Sequence, residues 1–148
     1  MNEKLTAKKS VLINAPAESV WKALTDPALI KRYLFGTQTI TDWKIGSSIT
    51  WKGEWQGKNY EDKGKVVAAS PPKLLRYTYW SSMSGKDDKP ENYANVSFEL
   101  SEENGHTRVS LTQDGNDTEE SKKHAEENWT IVLADLKKVV EENPVHRS

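Results

Sequence analysis

Residues 118–142 read TEESKKHAEENWTIVLADLKKVVEE. Ala125, Trp129, Val132, Leu133, Leu136, Val139 and Val140 recur at spacings of three and four, which places them on one helix face and leaves charged residues on the others. Asp117, with Glu120 three residues on, resembles a capping box in which Asp replaces Ser or Thr. Asn143-Pro144 supplies a stop. The spacing predicts one helix from about Thr118 to Glu142, roughly 37 Å long at 1.5 Å per residue. A helix of that length with one apolar face needs an apolar sheet to lie on.

The sheet is upstream. From residue 37 to 113 the periodicity is two: Ile49, Trp51, Gly53 and Trp55 share one face, while Thr50, Lys52, Glu54 and Gln56 share the other. Asp42–Gly46 and Gly53–Asn59 carry turn or bulge residues. Gly64–Ala69 is a strand closed by Ser70-Pro71-Pro72, and Leu75, Tyr77 and Tyr79 alternate with Arg76 and Thr78 on the next. Residues 81–92, SSMSGKDDKPEN, form a polar loop without periodicity. Val96, Phe98 and Leu100 mark a strand, Glu103-Asn104-Gly105 a hairpin turn, and Val109 and Leu111 the return.

Before the sheet, Ser10–Ile13 ends a first strand and Pro16 suits the first position of a helix. Ala17, Val20, Trp21 and Leu24 form that helix's buried face, and Thr25-Asp26-Pro27 stops it and starts a second helix, with Leu29, Ile30, Tyr33 and Leu34 inward and Gly36 at its end. The expected architecture is α+β. It is a helix-grip fold, in which a curved antiparallel sheet of about six to seven strands wraps on the long C-terminal helix, with two short helices after strand 1. Gly53 and Gly64 would let the strands coil around the helix. At 148 residues the chain fits one domain, 1–148, with its core at about 8–142.

Composition narrows the function. Lys plus Arg is 21 and Asp plus Glu 22, against the concentrated positive excess of a nucleic-acid binder. The absence of cysteine excludes disulfides, iron–sulfur clusters, thiolate zinc sites and a cysteine nucleophile. Residues 1–10 hold no apolar signal-peptide core, and no apolar run reaches the ~20 residues a membrane-spanning helix needs, so a cytoplasmic protein without membrane insertion is expected. No nucleophile elbow, phosphate loop or dinucleotide fingerprint occurs. The aromatic set is unusual: six Trp and five Tyr stand beside two Phe, so most rings carry a polar tip suited to a half-wet surface or a cavity rather than a dry core.

Ile13-Asn14-Ala15-Pro16 followed by Val20-Trp21-Lys22-Ala23-Leu24-Thr25-Asp26-Pro27 resembles the SRPBCC (START-like) superfamily, in the branch named after the activator of the heat-shock protein 90 ATPase. Asp42-Trp43-Lys44-Ile45-Gly46, Gly64-Lys65-Val66, Ser70-Pro71 with Leu75, Tyr77 and Thr78, and Trp129 with Leu133, Leu136 and Lys137 continue the match in order, over about residues 8–142. Two positions depart: Asn128 precedes Trp129 where many relatives carry Gly, and Tyr33 stands where Trp is common. The resemblance implies a cavity between helix and sheet. Relatives bind lipids, sterols, plant hormones or polyketides there, and a minority carry out cyclisation or hydrolysis. The branch's namesake acts as a co-chaperone through its surface, so fold alone does not choose among these roles.

The candidate ligand-binding residues are Trp51, Trp55, Tyr60, Tyr77, Tyr79 and Trp129, rings expected to meet between sheet and helix. Two readings stay open: they enclose a small hydrophobic or aromatic ligand, or they fill the space themselves. Thr118, Ser121 and Lys122, none apolar, continue the helix face before Ala125, and so border an opening or form a solvated helix start. The 81–92 loop and these turns would gate such a cavity. Asp62 shares parity with Tyr60 and Gly64, which allows it to point inward, but Glu61-Asp62-Lys63 is more simply a charged strand end. No convincing acid–base pair follows, so no catalytic residue is assigned and an enzymatic role is the weakest reading. His124 lies well off the buried stripe, His106 beside a hairpin turn and His146 in the tail; none share metal-ligand spacing, so no metal or cofactor is expected. Charge is split, residues 1–74 holding 12 basic and 7 acidic side chains and residues 75–148 holding 9 and 15. That polarity is a solvated acidic face or a means of steering a protein partner. The expected partners are accordingly a small lipophilic ligand or, as the alternative, a chaperone engaged through the surface in a stress response.

Overall fold

The computed structural model describes residues 5–34, 36–81 and 85–142. Strand β1 (Ala7–Ile13) leads into helices α1 (Ala17–Thr25) and α2 (Pro27–Tyr33). Then come β2 (Gln38–Ile40), β3 (Ser48–Trp55), β4 (Lys58–Ser70), β5 (Leu74–Trp80), β6 (Ala94–Glu103), β7 (His106–Gln113) and the long helix α3 (Glu119–Glu142). The strands form one antiparallel seven-stranded sheet in the order β1-β7-β6-β5-β4-β3-β2. After β1 the chain crosses through α1 and α2 to the opposite edge, then meanders back until β7 pairs with β1. This is the expected helix-grip α+β fold.

Local chemistry fixes the corners. Asp26 caps α2, its Oδ1 accepting from Ala28 N at 2.9 Å, with Pro27 in the first turn. Pro16 is one position outside the place expected for it: it is the extended cap residue before Ala17, at φ −69° and ψ 158°. Two hairpins close on successive left-handed residues, Gln56 (φ 50°) with Gly57 (φ 80°) and Asn104 (φ 55°) with Gly105 (φ 81°). That pairing is a type I′ turn, whose twist matches the strands. The Asn104-Gly105 turn is as the sequence predicts. The other is much tighter than the predicted span of 53–59, because Gly53, Glu54 and Trp55 pair with Tyr60, Asn59 and Lys58 as regular strand.

The cap expected at Asp117 forms one residue later, as a single bond rather than a reciprocal box. Ser121 N donates to Thr118 Oγ1 at 3.0 Å, while Asp117 takes an ion pair from Lys86 Nζ at 2.6 Å. Along α3 the apolar stripe divides in two. Val132, Leu133, Leu136, Val139 and Val140 are buried against the sheet and the short helices, whereas Ala125 and Trp129 are only half-buried.

The same helix closes the free edge of β1. Lys8 N donates to Glu126 Oε2 at 3.1 Å, Asn14 N donates to Glu141 Oε2 at 2.8 Å, and Lys137 Nζ donates to Leu12 O at 3.0 Å. Unpaired edge groups invite pairing with another chain, and here α3 side chains occupy two of them, Lys8 N and Leu12 O, and a third group just past the strand, Asn14 N. Among the described residues no helix is long and apolar enough to cross a membrane.

Candidate functional site

Where α3 loses its full apolar stripe, a space remains between helix and sheet. It has a volume of ≈ 680 Å³. Trp51 on β3, Asp62 on β4, Tyr77 and Tyr79 on β5, and Trp129 on α3 line it, and Tyr60, Leu34 and Thr37 complete the wall near α2. Ser121, His124 and Asn128 also line it and are exposed, so the cavity reaches solvent beside the first turns of α3.

The rings touch in series. Trp51 lies 5.3 Å from Tyr77 and 5.2 Å from Tyr79, the second an edge contact at 69°. Tyr77 is 6.2 Å from Phe98, and Phe98 meets Trp129 edge-on at 6.0 Å. These are the separations at which aromatic quadrupoles attract. The series depends on Gly64: a Cβ there would stand 1.9 Å from Thr78 O and 3.0 Å from Trp51 Cζ3, so glycine lets Trp51 lie against the β4–β5 backbone.

The polar tips are tied down. Tyr79 Oη donates to Asp62 Oδ2 at 2.7 Å, Tyr60 Oη and Thr37 Oγ1 share a hydrogen bond of 2.5 Å, and Trp129 Nε1 donates to Gln113 Oε1 at 2.5 Å. Burial pushes the Tyr77 phenol well above its ordinary range. Burial raises Tyr79 too, and the negative charge and hydrogen bond of Asp62 raise it further, so both phenols stay protonated.

Five of the six predicted ring positions thus border one space. The sixth, Trp55, ends β3 opposite Lys58, and its side chain lies outside the described residues. Asp62 is no exposed strand end: it is 7% exposed and faces the cavity, paired in register with Trp51. His124 also borders the cavity, although it lies off the buried stripe, because the opening touches a wider arc of α3 than the packed core does. Gln113 went unpredicted, yet it continues the parity of Val109 and Leu111 and was available to that argument. Leu34, Thr37 and Asn116 reach the cavity only through tertiary placement. Thr118 and Lys122 do not border it, and Ser121 does.

Of the two departures from the superfamily pattern, Asn128 lines the cavity mouth and Tyr33 is a satisfied core residue, its Oη donating to Ala23 O at 2.9 Å. His106 sits exposed at the start of β7, and His146 lies outside the described residues. Among the described residues no group of three or more His, Cys, Asp or Glu side chains is arranged to hold a metal ion. Of the loop expected at 81–92, residues 82–84 lie outside the described residues. The remainder is anchored by Trp80 stacking on Tyr93, by Trp80 Nε1 donating to Lys86 O at 3.1 Å, and by the Lys86–Asp117 ion pair.

Sheet, gripped helix and an aromatic cavity open at one end together define a helix-grip protein of the START-like kind. Residues 14–141 match the family described as Activator of Hsp90 ATPase homolog 1-like protein, and the chain belongs to that family. Among solved structures, the protein ChR145 from Cytophaga hutchinsonii is 48% identical, with 96% of this chain and 97% of that one covered and a TM-score of 0.83. CalU16 from Micromonospora echinospora is 23% identical over 91% of this chain and 75% of its own, at a TM-score of 0.68. The Aha1 dimer from Colwellia psychrerythraea is 22% identical over 92% and 96%, at a TM-score of 0.70. The last two likenesses speak to the fold alone. No curated protein matches the sequence.

Proposed function

We propose that this protein binds a small hydrophobic or aromatic ligand in the cavity between the sheet and α3. The observation that carries this reading is the ≈ 680 Å³ space lined by Trp51, Tyr60, Tyr77, Tyr79 and Trp129. Its volume falls within the range of ligand pockets, and an apolar wall with a few fixed polar tips is how such pockets orient a ligand. Trp55 is assigned to the same set as the outer continuation of the β3 face. Amide chemical-shift mapping against flat aromatics and acyl-chain lipophiles tests it. Shifts clustered on Trp51, Tyr77, Tyr79 and the Trp129 indole are the expected result. Shifts absent there across the panel, in protein freed of carried-over ligand, defeat the reading.

Family membership favours a second reading, a co-chaperone-like module that acts through its surface. It predicts that the purified protein accelerates ATP hydrolysis by a purified Hsp90, and an unchanged rate at saturating concentration counts against it.

A further inference from the structure

The titratable groups facing the cavity are few. Its described lining contains Asp62 and His124 but no lysine or arginine. Asp62 is over nine-tenths buried, receives the Tyr79 hydroxyl at 2.7 Å, and lies across the β3–β4 ladder from Trp51, within the aromatic wall. A carboxylate in a poorly solvated site attracts a donor or a cation and repels another anion far more strongly than in water. Lysines do occur nearby, but Lys63 extends from the same strand to Asp88, and Lys86 pairs with Asp117. Neither lines the cavity.

We propose that Asp62 is a specificity-determining residue that makes the cavity select against anionic amphiphiles, fatty-acid carboxylates among them, and in favour of planar aromatic molecules carrying a hydroxyl or amine donor. This rests on the ligand-binding reading above and deepens it. The aromatic series Tyr79–Trp51–Tyr77 supplies the flat contact surface, and Asp62 supplies the acceptor at its edge. The Tyr79 hydroxyl holds that carboxylate in one orientation, so a ligand's donor meets a preorganised acceptor.

Four probes of one shape test it: naphthalene, 2-naphthol, 2-naphthylmethylamine and 2-naphthoate, titrated at neutral pH and followed by tryptophan fluorescence and amide shifts. The neutral hydroxyl and the cationic amine should bind, and the carboxylate should bind at least about tenfold more weakly than the hydroxyl. Asp62→Asn, nearly isosteric, should weaken the amine by about tenfold and bring the carboxylate to within about threefold of the hydroxyl. Should that variant not fold, Asn128→Lys, at an exposed position of the cavity mouth, must raise carboxylate binding relative to hydroxyl binding. Carboxylate and hydroxyl binding equally well to the unaltered protein overturns the inference and leaves the cavity a ligand site. An unchanged preference in folded Asp62→Asn, or in Asn128→Lys, does the same. If none of the four probes binds, the ligand-site reading falls together with it.

Discussion

Replacing Gly64 with alanine should be among the most damaging single-methyl additions in the molecule. The added Cβ would lie 1.9 Å from Thr78 O, where a carbon–oxygen contact needs about 3.3 Å. Thr78 O is backbone, so no rotamer change relieves the overlap; β4 and β5 must separate locally. That separation strains the backbone amide of Lys65, which donates to Thr78 Oγ1 at 3.0 Å, and displaces Trp51, whose Cζ3 lies 3.0 Å from the same point. Overpacking of this kind costs about 1–3 kcal/mol, and a weakened hydrogen bond adds about 1 kcal/mol. A total near 3 kcal/mol corresponds to a fall in Tm of roughly 6–12 °C for a chain of this size. Gly53→Ala is the control. Its Cβ would meet the Tyr60 ring, 2.3 Å from Oη and 2.5 Å from Cζ; that is a side chain rather than backbone and can move by giving up its bond to Thr37, so less stability should be lost while the cavity wall is disturbed. Urea unfolding followed by tryptophan fluorescence measures both. Gly64→Ala within about 0.5 kcal/mol of the unaltered protein, the ordinary range for a surface change, would refute the close-approach argument.

Three further outcomes follow from the two halves of α3 and from the edge it covers. Leu136→Ala, at a fully buried position beyond the cavity, should cost about 2–5 kcal/mol by urea unfolding while leaving the cavity lining intact, so a ligand's affinity for the folded variant should hold. Trp129→Phe keeps a ring against Phe98 but removes the donor to Gln113 Oε1; a loss of about 0.5–1.5 kcal/mol is expected, together with a changed ligand preference in the same shift assay. The Glu141 carboxyl is held below its ordinary range, first by Lys137, 2.5 Å away, and then by the amide of Asn14. A depressed carboxyl stabilises fully above its unfolded pKa, and that contribution disappears as pH falls through the folded value. Glu141→Gln should therefore flatten the loss of stability between about pH 5 and pH 2, and an unchanged acid limb would show that this edge contact adds nothing measurable.

Much of the site's framework was legible because strand parity is strict. Trp51, Tyr77 and Tyr79 sit on inward positions by alternation alone, as Val109, Leu111 and Gln113 do, and a strand cannot change which face a residue occupies without slipping register. Asp62 obeyed the same parity, but its place in a Glu-Asp-Lys run pointed equally to a charged strand end. The Tyr79 hydroxyl at 2.7 Å, from the neighbouring strand, is a contact that no local pattern predicts and that helps to hold a carboxylate buried there. Helix capping was misplaced by one residue because Asp117 and Thr118 are both competent caps; the choice fell to Lys86, which draws Asp117 away through a contact 31 residues distant in the chain.

By itself the sequence determined the elements and their faces: a helix with one apolar stripe, strands of period two, turns at Asn104-Gly105 and Asp26-Pro27, and from these the helix-grip architecture. Each of those follows from interactions among residues near one another in the chain. Tertiary structure decided whether the aromatic face closed on itself or stood open. That outcome depends on how far α3 stands from β3–β5 at its N-terminal end, and hence on the loss of apolar residues before Ala125, on the glycine that admits Trp51, and on which strand's carboxylate meets which phenol. Such distances are sums over contacts remote in sequence, and no local pattern encodes them.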